Sequence, residues 1–550
     1  MKKIILAAAA FVACTLTLSA QISEGGTPPS FSYPQLYAKK TFDHNVYRVP
    51  VNLDIPQLIK EDEISKEIAA PMRIAVALPV SVDINNSGEW ITLPDGVNIW
   101  QQTVSAEGAD GLIIRYDDFY IPDGGKLFIF NEDKSDILGA YTNKTHPGGG
   151  VFSNELIYGD KITFEYVESA ISDEKPRLVL SNVGYAYNLK DNGIGVGSSQ
   201  SCMININCEE GDNWRKQQRG AIGLTMFFDT FYSVCSGALV NNTRQDKTPY
   251  ILSAHHCFED NPEYATMQIH FNYERSGCSN STSYTKNTLV GTQMLVDIPL
   301  SGASDGALLK LTNEIPPEYN VYYNGWDASG EAPSSGVIIH HPSGDVKKIS
   351  TYTSRPGNTT WISDETGATN AHWRVRYAMT KNGWSVTEGG SSGSPIFNQN
   401  GLIIGTLTGG SSECSSPTAS DLYGKLSYHW DKYSAAQMKR YLDPDNLLEG
   451  STSPLKLDGY DTMTGIETIK YRDNVNFAVF PNPVAEELNI NANNLILSVR
   501  IYDMTGALIY SKEKLNSSTI TLPVTDWPKG LYLISINTES GKFSEKVLKD

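Results

Sequence analysis

The chain has 550 residues, of which 40% are hydrophobic and 10% are aromatic. This length exceeds one ordinary domain and predicts roughly three or four compact units. The formal net charge is −18 at pH 7, which argues against nucleic acid as a partner and favours a soluble, self-repelling surface.

Residues 1–20 have the pattern of a signal peptide. Lys2 and Lys3 precede the apolar stretch 4–18, and the segment ends in the small residue Ala20. A membrane anchor is disfavoured because the apolar stretch is short and polar residues follow it directly. We therefore predict an exported protein.

The chain contains seven cysteines, of which Cys14 leaves with the signal peptide. The remaining cysteines all lie in one block: Cys202, Cys208, Cys235, Cys257, Cys278 and Cys414. Their number is even and no Cys-x-x-Cys pair occurs, so an exported chain is expected to use them in disulfides rather than as zinc ligands. The spacing alone does not choose among the possible pairings.

Residues 21–190 predict a β-sandwich. The clearest strand-like runs are 72–78, 111–116 and 126–130. Turn signals such as the Pro-Asp-Gly-Gly sequence at 122–125 separate these runs, and one helix-like segment spans 57–68. The polar, Gly/Ser-rich segment 191–201 predicts an exposed hinge.

Residues 202–446 also indicate β structure, with turn signals about every ten residues. Strands are predicted at 249–254, 337–340 and 402–407. A helix is predicted over 434–442, beginning at the N-cap Ser434. Many short strands followed by one helix predict a two-barrel β enzyme.

The last part of the chain divides into a linker and a small β unit. Residues 449–476 have weak periodicity and many Ser, Thr, Gly and Asp residues, which is typical of a linker. Residues 477–550 return to strand patterns. The predicted strands of this unit are 497–501, 507–510 and 531–536.

The sequence Gly389-Gly390-Ser391-Ser392-Gly393-Ser394-Pro395 is the strongest catalytic signal. Its small residues let a carbonyl substrate approach the backbone, and the N–H groups of Gly390 and Ser392 are predicted to form an oxyanion hole. A serine hydroxyl needs a base, and His256 is the predicted base, with Asp305 holding its imidazole. Each residue alone is explained as well by a structural role. The chain order His, Asp, Ser, with each residue beside a strand, predicts the catalytic triad His256, Asp305 and Ser392.

The other histidines receive no catalytic role. His255 is expected to point to the opposite side from His256 and to be structural. His340 and His341 lack an accompanying carboxylate or cysteine cluster, so we predict no metal site, and no cofactor is expected. The isolated histidines are His44, His146, His270, His372 and His429.

The block from Cys202 to about residue 446 resembles the bacterial lysyl endopeptidases, which are secreted chymotrypsin-like serine proteases. The resemblance is carried by Asn207-Cys208-Glu209-Glu210-Gly211-Asp212, Gly237-Ala238-Leu239-Val240-Asn241-Asn242-Thr243, Ala254-His255-His256-Cys257, His340-His341-Pro342 and Val386-Thr387-Glu388 with the serine turn. It implies the disulfides Cys202–Cys414, Cys208–Cys278 and Cys235–Cys257. It also implies a tryptophan beside the catalytic histidine, here Trp361. Thr408 stands where the family has a histidine.

The resemblance implies cleavage after lysine by means of an aspartate that follows the serine, here Asp421. A buried carboxylate left without a cationic partner would accept a lysine side chain and reject neutral ones. The alternative for Asp421 is a residue of a surface turn.

Ser391 differs from the aspartate that trypsin-like zymogens have before the catalytic serine. A serine cannot pair with a newly freed amino terminus. We therefore expect activation to follow removal of residues 21–190 without a new terminal ion pair, and a lysine-specific protease could release itself at Lys190.

Residues 477–550 resemble the C-terminal sorting domain of type IX secretion. The matching patterns, in order, are Val479-Phe480-Pro481-Asn482-Pro483, Tyr502-Asp503-Met504-Thr505-Gly506, Gly530-Leu531-Tyr532 and Lys546-Val547-Leu548-Lys549. The resemblance implies export through the periplasm and outer membrane, with the type IX machinery as partner.

The combined prediction is an all-β, secreted serine endopeptidase that cleaves after lysine. Its expected parts are a signal peptide (1–20), a β-sandwich pro-domain (21–190), a two-barrel chymotrypsin-like protease domain (191–448), a linker (449–476) and a β-sandwich sorting domain (477–550). It is expected to act as a monomer on lysine-containing peptides and proteins. The alternatives are a broader Lys/Arg-specific protease and a catalytically inactive surface adhesin.

Overall fold

A computed structural model describes residues 22–33, 45–65, 70–189, 198–363, 365–448, 455–462, 477–481, 483–503, 507–538 and 541–549. The signal-peptide prediction, His44 and Lys190 lie outside the described residues. The chain divides into two compact units, Met1–Thr462 and Met463–Asp550. Strands dominate both units, which confirms the all-β prediction. No helix in the described part of the chain is both long and apolar enough to cross a membrane.

The N-terminal sandwich contains the first eleven strands. They are β1 (Val46–Arg48), β2 (Met72–Asp83), β3 (Glu89–Thr92), β4 (Asn98–Ser105), β5 (Gly111–Tyr120), β6 (Lys126–Asn131), β7 (Ile137–Tyr141), β8 (Phe152–Ser153), β9 (Ile157–Tyr158), β10 (Lys161–Val167) and β11 (Arg177–Ala186). One sheet has the order β1-β4-β10-β6-β7 with β3 beside β4, and the other contains β2-β11-β5-β8 with β9 beside β5. Buried side chains such as Trp100, Tyr116 and Phe164 fill the space between them.

Helices in this part of the chain are short. Helix α1 spans Ile55–Ser65 and covers most of the predicted helix 57–68. Residues 66–69 lie outside the described part of the chain. A 3-10 helix spans Pro29–Ser32.

The following block contains nineteen of the described strands. They are β12 (Ile204–Asn205), β13 (Ala221–Phe227), β14 (Phe231–Val240), β15 (Tyr250–Ser253), β16 (Gln268–Arg275), β17 (Tyr284–Val290), β18 (Thr292–Ile298), β19 (Gly306–Leu311), β20 (Tyr322–Tyr323), β21 (Trp326–Asp327), β22 (Gly336–His340), β23 (Lys348–Tyr352), β24 (Gly357–Thr359), β25 (His372–Arg376), β26 (Pro395–Asn398), β27 (Ile403–Gly410), β28 (Ser420–Lys425), β29 (Lys456–Leu457) and β30 (Tyr460–Asp461).

These strands form the two predicted barrels. The first barrel follows the order β17-β16-β13-β14 and continues from β14 through β15 and β19 to β18. The second follows β12-β23-β22-β26-β27-β28-β25-β24, with β21 beside β27. Each barrel has its own apolar core, and a third buried cluster that includes Trp326 and Trp430 takes residues from both. The residues of the predicted triad, His256, Asp305 and Ser392, lie between these strands, whereas Asp421 lies within β28.

The second sheet of the N-terminal sandwich is continuous with the first barrel. Strand β2 pairs with β11 on one side and with β14 on the other, so that sandwich and barrel share a twelve-stranded sheet. The sequence did not predict this pairing, because strand periodicity shows which face is buried but not which edge finds a partner.

The predicted helix 434–442 is wrong in its extent. The described helices of this block are α2 (Arg215–Gln218), α3 (Leu426–Asp431) and α4 (Lys439–Leu442), and 3-10 turns span Glu209–Trp214, His255–Cys257, Pro317–Tyr319 and Pro342–Gly344. The N–H of Met438 donates to the carbonyl of His429 at 3.1 Å. This tertiary hydrogen bond takes a donor that a helix from Ser434 would use itself, so the chain turns before α4.

The predicted linker is partly structured. Strands β29 and β30 pair with β21 and β20, and Asp461 accepts a hydrogen bond from Arg219 at 2.7 Å. The boundary between the two compact units falls after Thr462, inside the predicted linker. The other predicted domain boundaries stay predictions.

The C-terminal unit contains five described strands. They are β31 (Phe477–Phe480), β32 (Glu487–Asp503), β33 (Leu508–Pro523), β34 (Gly530–Thr538) and β35 (Gly541–Lys549). The sheet order is β31-β32-β34-β35, with β33 also beside β32. Its core is aliphatic and includes Leu488, Val499, Ile501 and Ile534. The three strands predicted here all occur, and each is longer than its sequence pattern indicated.

Gly424 in β28 lies at a close approach between the two barrels near the predicted site. A Cβ atom at this position would lie 2.0 Å from the carbonyl oxygen of Ser304, the residue before Asp305. We expect Gly424→Ala to lower the free energy of unfolding by about 1–3 kcal/mol through overpacking and to reduce peptide hydrolysis by displacing Asp305. Urea unfolding and kcat would both be measured. Gly357→Ala is the matched control, since a Cβ there would contact nothing within 4 Å; equal stability of the two variants would contradict the prediction.

Candidate active site

His256 and Asp305 are brought together by the pairing of two strands in the first barrel. Strand β15 ends immediately before the histidine pair, β19 begins immediately after Asp305, and Ser253 lies opposite Ala307 in their antiparallel register. The Nδ1 atom of His256 lies 2.8 Å from Oδ2 of Asp305, and the backbone N–H of His256 donates to Oδ1 at 2.9 Å. Both side chains are buried. The carboxylate therefore fixes both the orientation of the ring and the backbone that carries it.

Asp305 is held as a carboxylate despite its burial. Burial raises its pKa, but attraction to His256 and the hydrogen bonds from the His256 side chain and backbone outweigh this effect, so the pKa lies below its usual range. The backbone φ of Asp305 is +61°, in the left-handed region that a non-glycine residue seldom adopts. This strain lies at the predicted site, where strained residues often have a functional reason.

Two further buried histidines lie behind Asp305, and sequence reasoning gave them no role. Nδ1 of His429 lies 2.8 Å from the Ser304 hydroxyl. His372 is fully buried. Burial lowers the pKa of His429 to about 3 and that of His372 to about 4, while the Asp305 charge acts against burial in both. Both rings are thus neutral at neutral pH. Neither position carries a motif, so only the fold places them here.

The serine turn, residues 389–395, lies directly beside the strand that leads to His256. A Cβ at Gly393 would lie 2.1 Å from the Ser253 hydroxyl and 3.0 Å from the Ala254 nitrogen. Ser236 in β14 fixes the turn, because its N–H donates to the Ser392 carbonyl at 2.8 Å and its hydroxyl to the Gly390 carbonyl at 2.9 Å. Ser392 itself is half-buried. The structure therefore brings the predicted nucleophile, base and aspartate to one place between the barrels.

Three polar groups of the predicted triad and oxyanion hole make no hydrogen bond among the described residues. Nε2 of His256 is buried and makes no hydrogen bond within the described part of the chain, so it is not bonded to Ser392. Among the described hydrogen bonds, the N–H groups of Gly390 and Ser392 donate none. Gly390 has φ +84°, in the left-handed region that favours glycine. These are the groups that a substrate carbonyl and its oxyanion would use.

His340 holds the serine turn, and this role was missed from the sequence. Its Nδ1 lies 2.8 Å from the Ser391 hydroxyl and its Nε2 lies 3.1 Å from the Ser350 hydroxyl. Burial lowers the pKa of His340 to about 3, with Lys348 adding to the effect. A neutral histidine and a neutral serine therefore anchor the residue before Ser392. His341 points elsewhere and stacks on Tyr273 with ring centroids 5.6 Å apart.

Asp421 lies in β28 and is buried, not in a surface turn. Its Oδ1 accepts a hydrogen bond from the Ser412 N–H at 3.0 Å. Its Oδ2 accepts from the hydroxyls of Tyr377 at 2.7 Å, Thr387 at 2.6 Å and Ser412 at 2.6 Å. The carboxylate therefore has four hydrogen bonds, all from neutral groups. No cationic group pairs with it among the described residues, and burial raises its pKa in spite of these hydrogen bonds.

Trp361 is buried next to β27, the strand that contains Thr408. A Cβ at Gly409 would lie 3.2 Å from its ring, and the ring centroid lies 6.3 Å from that of His372. Thr408 is buried and contributes to the lowered pKa of Asp305. The histidine beside Trp361 thus comes from β25 rather than from the position of Thr408.

The cysteines form three disulfides in the pairings that the resemblance implies: Cys202–Cys414, Cys208–Cys278 and Cys235–Cys257. The last one joins β14 to the turn that carries His256. Cys235, His256 and Cys257 also form the one cluster of possible metal ligands found among the described residues. Both sulfur atoms are used in the disulfide, so they are not available as thiolate ligands.

Two family models match the chain. Residues 196–424 match the lysyl endopeptidase C-terminal domain, and residues 478–550 match the secretion system C-terminal sorting domain. The lysyl endopeptidase of Pseudomonas aeruginosa is 29% identical over 401 residues, which cover 68% of this chain and 82% of that protein. The sorting domain marks the chain for export to the cell surface or beyond it.

Solved structures of proteases are also similar to parts of the chain. The HtrA-type protease AlgW with a tripeptide is 11% identical, with a TM-score of 0.28, and the match covers 61% of this chain and 94% of that one. The protease Anisep from Arthrobacter nicotinovorans is 16% identical, with a TM-score of 0.26, and the match covers 38% and 91%. At such low TM-scores the sequence matches carry the assignment.

The hydrogen bond between Ser391 and His340 yields a test within a single turn. We expect Ser391→Ala to lower kcat about tenfold with little change in KM, because the hydroxyl loses its contact with His340 and the hydrogen bond that it accepts from the Glu388 N–H at 3.2 Å. Together these contacts are worth about 1–2 kcal/mol and position residue 392. Ser394→Ala is the matched control, since the Ser394 hydroxyl is buried without a hydrogen-bond partner. Steady-state kinetics of both variants check this. An unchanged kcat in Ser391→Ala would rule out the positioning role of His340.

The neutral buried histidines also predict how stability depends on pH. The unfolded chain binds protons at its histidines below a pH of about 6.5, whereas folded His429 and His340 stay neutral until their lowered pKa values of about 3 are reached. Stability present at neutral pH is therefore lost as the pH falls from about 6.5 towards 4, by at most about 1.4 kcal/mol per pH unit for each histidine. Urea unfolding at several pH values measures the slope. His429→Gln should flatten it, and an identical slope in that variant would contradict the assignment.

Proposed function

We propose that this chain, which is similar to lysyl endopeptidases and matches a secretion system sorting domain, cleaves peptide bonds after lysine with the triad Ser392, His256 and Asp305. The observation that carries this proposal is the pair of hydrogen bonds that the Asp305 carboxylate accepts from the backbone and ring of His256, directly beside the serine turn. Residues 21–190 are proposed to be the pro-domain of this protease.

In the proposed mechanism His256 acts first as a base and then as an acid. Its Nδ1–H donates to Asp305, so Nε2 carries the free lone pair that takes the proton from the Ser392 hydroxyl. The serine oxygen attacks the carbonyl carbon, and the amine leaves with the proton that His256 returns. Water then hydrolyses the acyl-enzyme by the same route. Asp305 stays ionised throughout, in keeping with its lowered pKa.

The negative oxygen of the tetrahedral intermediate is stabilised by the N–H groups of Gly390 and Ser392. The peptide planes that carry these N–H groups are held before substrate binds, because the Gly389 carbonyl accepts from the Ser343 N–H at 2.7 Å and the Ser391 carbonyl accepts from the Ser394 N–H at 3.0 Å. Donors that are fixed in advance stabilise charge without reorganisation, and the loss of one typically costs about 3 kcal/mol of transition-state stabilisation.

Asp421 is proposed to bind the lysine side chain. Its four hydrogen bonds come from neutral groups, so they orient the carboxylate and leave its charge uncompensated. A lysine ammonium supplies the missing charge and lowers the raised pKa, while a neutral side chain leaves the buried charge unpaired. Tyr377, Thr387 and Ser412 fix the position of this charge.

Cleavage of matched peptides tests the proposal. Peptides with lysine, arginine or leucine before the scissile bond would be compared for wild type, Ser392→Ala and Asp421→Asn. We expect wild type to cleave only after lysine, Ser392→Ala to be inactive, and Asp421→Asn to lose about a hundredfold or more in kcat/KM for lysine, because a charge pair is replaced by neutral groups. Asparagine is the conservative choice, since the surrounding hydroxyls can rotate to accept from its amide.

Each rival function predicts a different outcome of this experiment. Equal cleavage after arginine would favour the broader Lys/Arg-specific protease and keep the triad. No cleavage by processed wild-type protein would favour the inactive adhesin. Acidification adds an independent check: because the pKa of Asp421 is raised, its carboxylate takes up a proton earlier than an ordinary aspartate as pH falls. The ratio of wild-type to Asp421→Asn kcat/KM should therefore shrink at acid pH.

A further inference from the structure

The N-terminal sandwich covers one edge of the first barrel with an extended strand. In β14, residues Phe231–Val234 pair with β13 on one side, and their other edge is taken by β2. The register pairs Val234 with Met72 and Phe231 with Val76, antiparallel, and the Ala77 N–H donates to the Thr230 carbonyl at 2.8 Å. These backbone hydrogen bonds carry no sequence requirement, so any extended chain could make them.

Strand β2 begins beside the serine turn, with Met72 as its first residue. A Cβ at Gly389 would lie 3.2 Å from Sδ of Met72, so the methionine side chain covers the first residue of the turn. Val234, which pairs with Met72, precedes Cys235, and Cys235 is joined to Cys257 next to His256. Strand β2 therefore starts beside the serine turn and runs along β14 from Val234 to Phe231.

Side-chain contacts hold the sandwich on the barrel. Arg115 forms a paired contact with Glu263 at 2.6 and 2.7 Å. Glu155, which is 1% exposed, lies 2.7 Å from Nζ of Lys286 and accepts from the Thr288 hydroxyl at 2.5 Å. In each contact one partner belongs to the sandwich and the other to the barrel. Breaking a buried ion pair on one side is costly, because the other charge stays buried.

The catalytic groups are already in place in this covered state. His256 is bonded to Asp305, Ser391 is bonded to His340, and the N–H groups of Gly390 and Ser392 are available. Any inactivity of the uncleaved chain would therefore come from a blocked substrate path rather than from an unformed site.

We propose that β2 is a built-in inhibitor that occupies the edge of β14, which takes up the substrate residues following the scissile bond. This proposal rests on the proposed function. The inhibitory segment of β2 runs from Met72 at the serine turn to Val76. The contacts Arg115–Glu263 and Glu155–Lys286 hold the sandwich, and with it this segment, on the barrel. Removal of the sandwich exposes the edge for an extended substrate chain with the same backbone pairing.

The test uses the full chain with Ser392→Ala, which cannot process itself. Two fluorescent peptides are compared by anisotropy: a long one with four residues after the lysine, and a short one that ends at the lysine. Charge reversal by Arg115→Glu places two carboxylates against each other and weakens docking. We expect it to raise the affinity for the long peptide at least tenfold and to leave the affinity for the short peptide unchanged. The swap Arg115→Glu with Glu263→Arg restores the pair and should return the affinity to the starting value.

The outcomes separate the inhibitor from the protease assignment. Unchanged affinity for the long peptide in Arg115→Glu and in Arg115→Glu with Glu155→Gln would overturn the proposal, as would an equal gain for the short peptide. Thermal unfolding of each variant checks that the sandwich stays folded. If wild-type protein cleaves lysine peptides while all variants bind the long peptide equally, the inhibitor alone fails; if nothing is cleaved and no peptide binds, the proposed function fails.

Discussion

The hydrogen-bonded pair of Asp305 and His256 is the constraint on which the site depends. A buried carboxylate is tolerated only when it is hydrogen-bonded and faces a group that favours its charge. Here the His256 backbone and ring supply both bonds, and the left-handed backbone of Asp305 aims the carboxylate at them. The pairing of β15 with β19 and the disulfide Cys235–Cys257 fix the two chain segments that must meet.

Neutral groups surround the charges of this site. Burial lowers the pKa values of His429, His340 and His372. His429 contacts Ser304, which precedes Asp305, and His340 contacts Ser391, which precedes Ser392. His372 lies beside Trp361. Hydroxyl groups in turn surround Asp421. Such groups orient a carboxylate or a turn without cancelling charge. Asp305 therefore keeps its negative charge for an imidazolium at His256. Asp421 keeps its negative charge for the lysine ammonium of the proposed substrate.

The sequence predicts the parts of this structure that depend on local patterns. Strand alternation gave the β-sandwich and both barrels, and the small residues around Ser392 gave the turn, with Gly390 at a positive φ that glycine favours. The sequence did not predict the roles of His340 and His429. A histidine inside an apolar strand or helix has the same sequence pattern whether it only packs or also hydrogen-bonds a neighbouring residue. The sequence also missed the β2–β14 pairing and overextended the helix at 434–442, since both depend on hydrogen bonds between residues far apart in the chain.

The turn around Ser392 links catalysis to latency. In a zymogen that needs a new ion pair, the turn is formed only after cleavage. Here Ser391 bonds to neutral His340 while the N-terminal sandwich is still attached, so no charge has to arrive for the turn to form. In the proposed latency, strand β2 blocks this preformed site by a backbone pairing along β14 that would also suit a substrate. The proposed occupation of this edge by β2 would thus keep the uncleaved chain inactive although its predicted catalytic groups are in place.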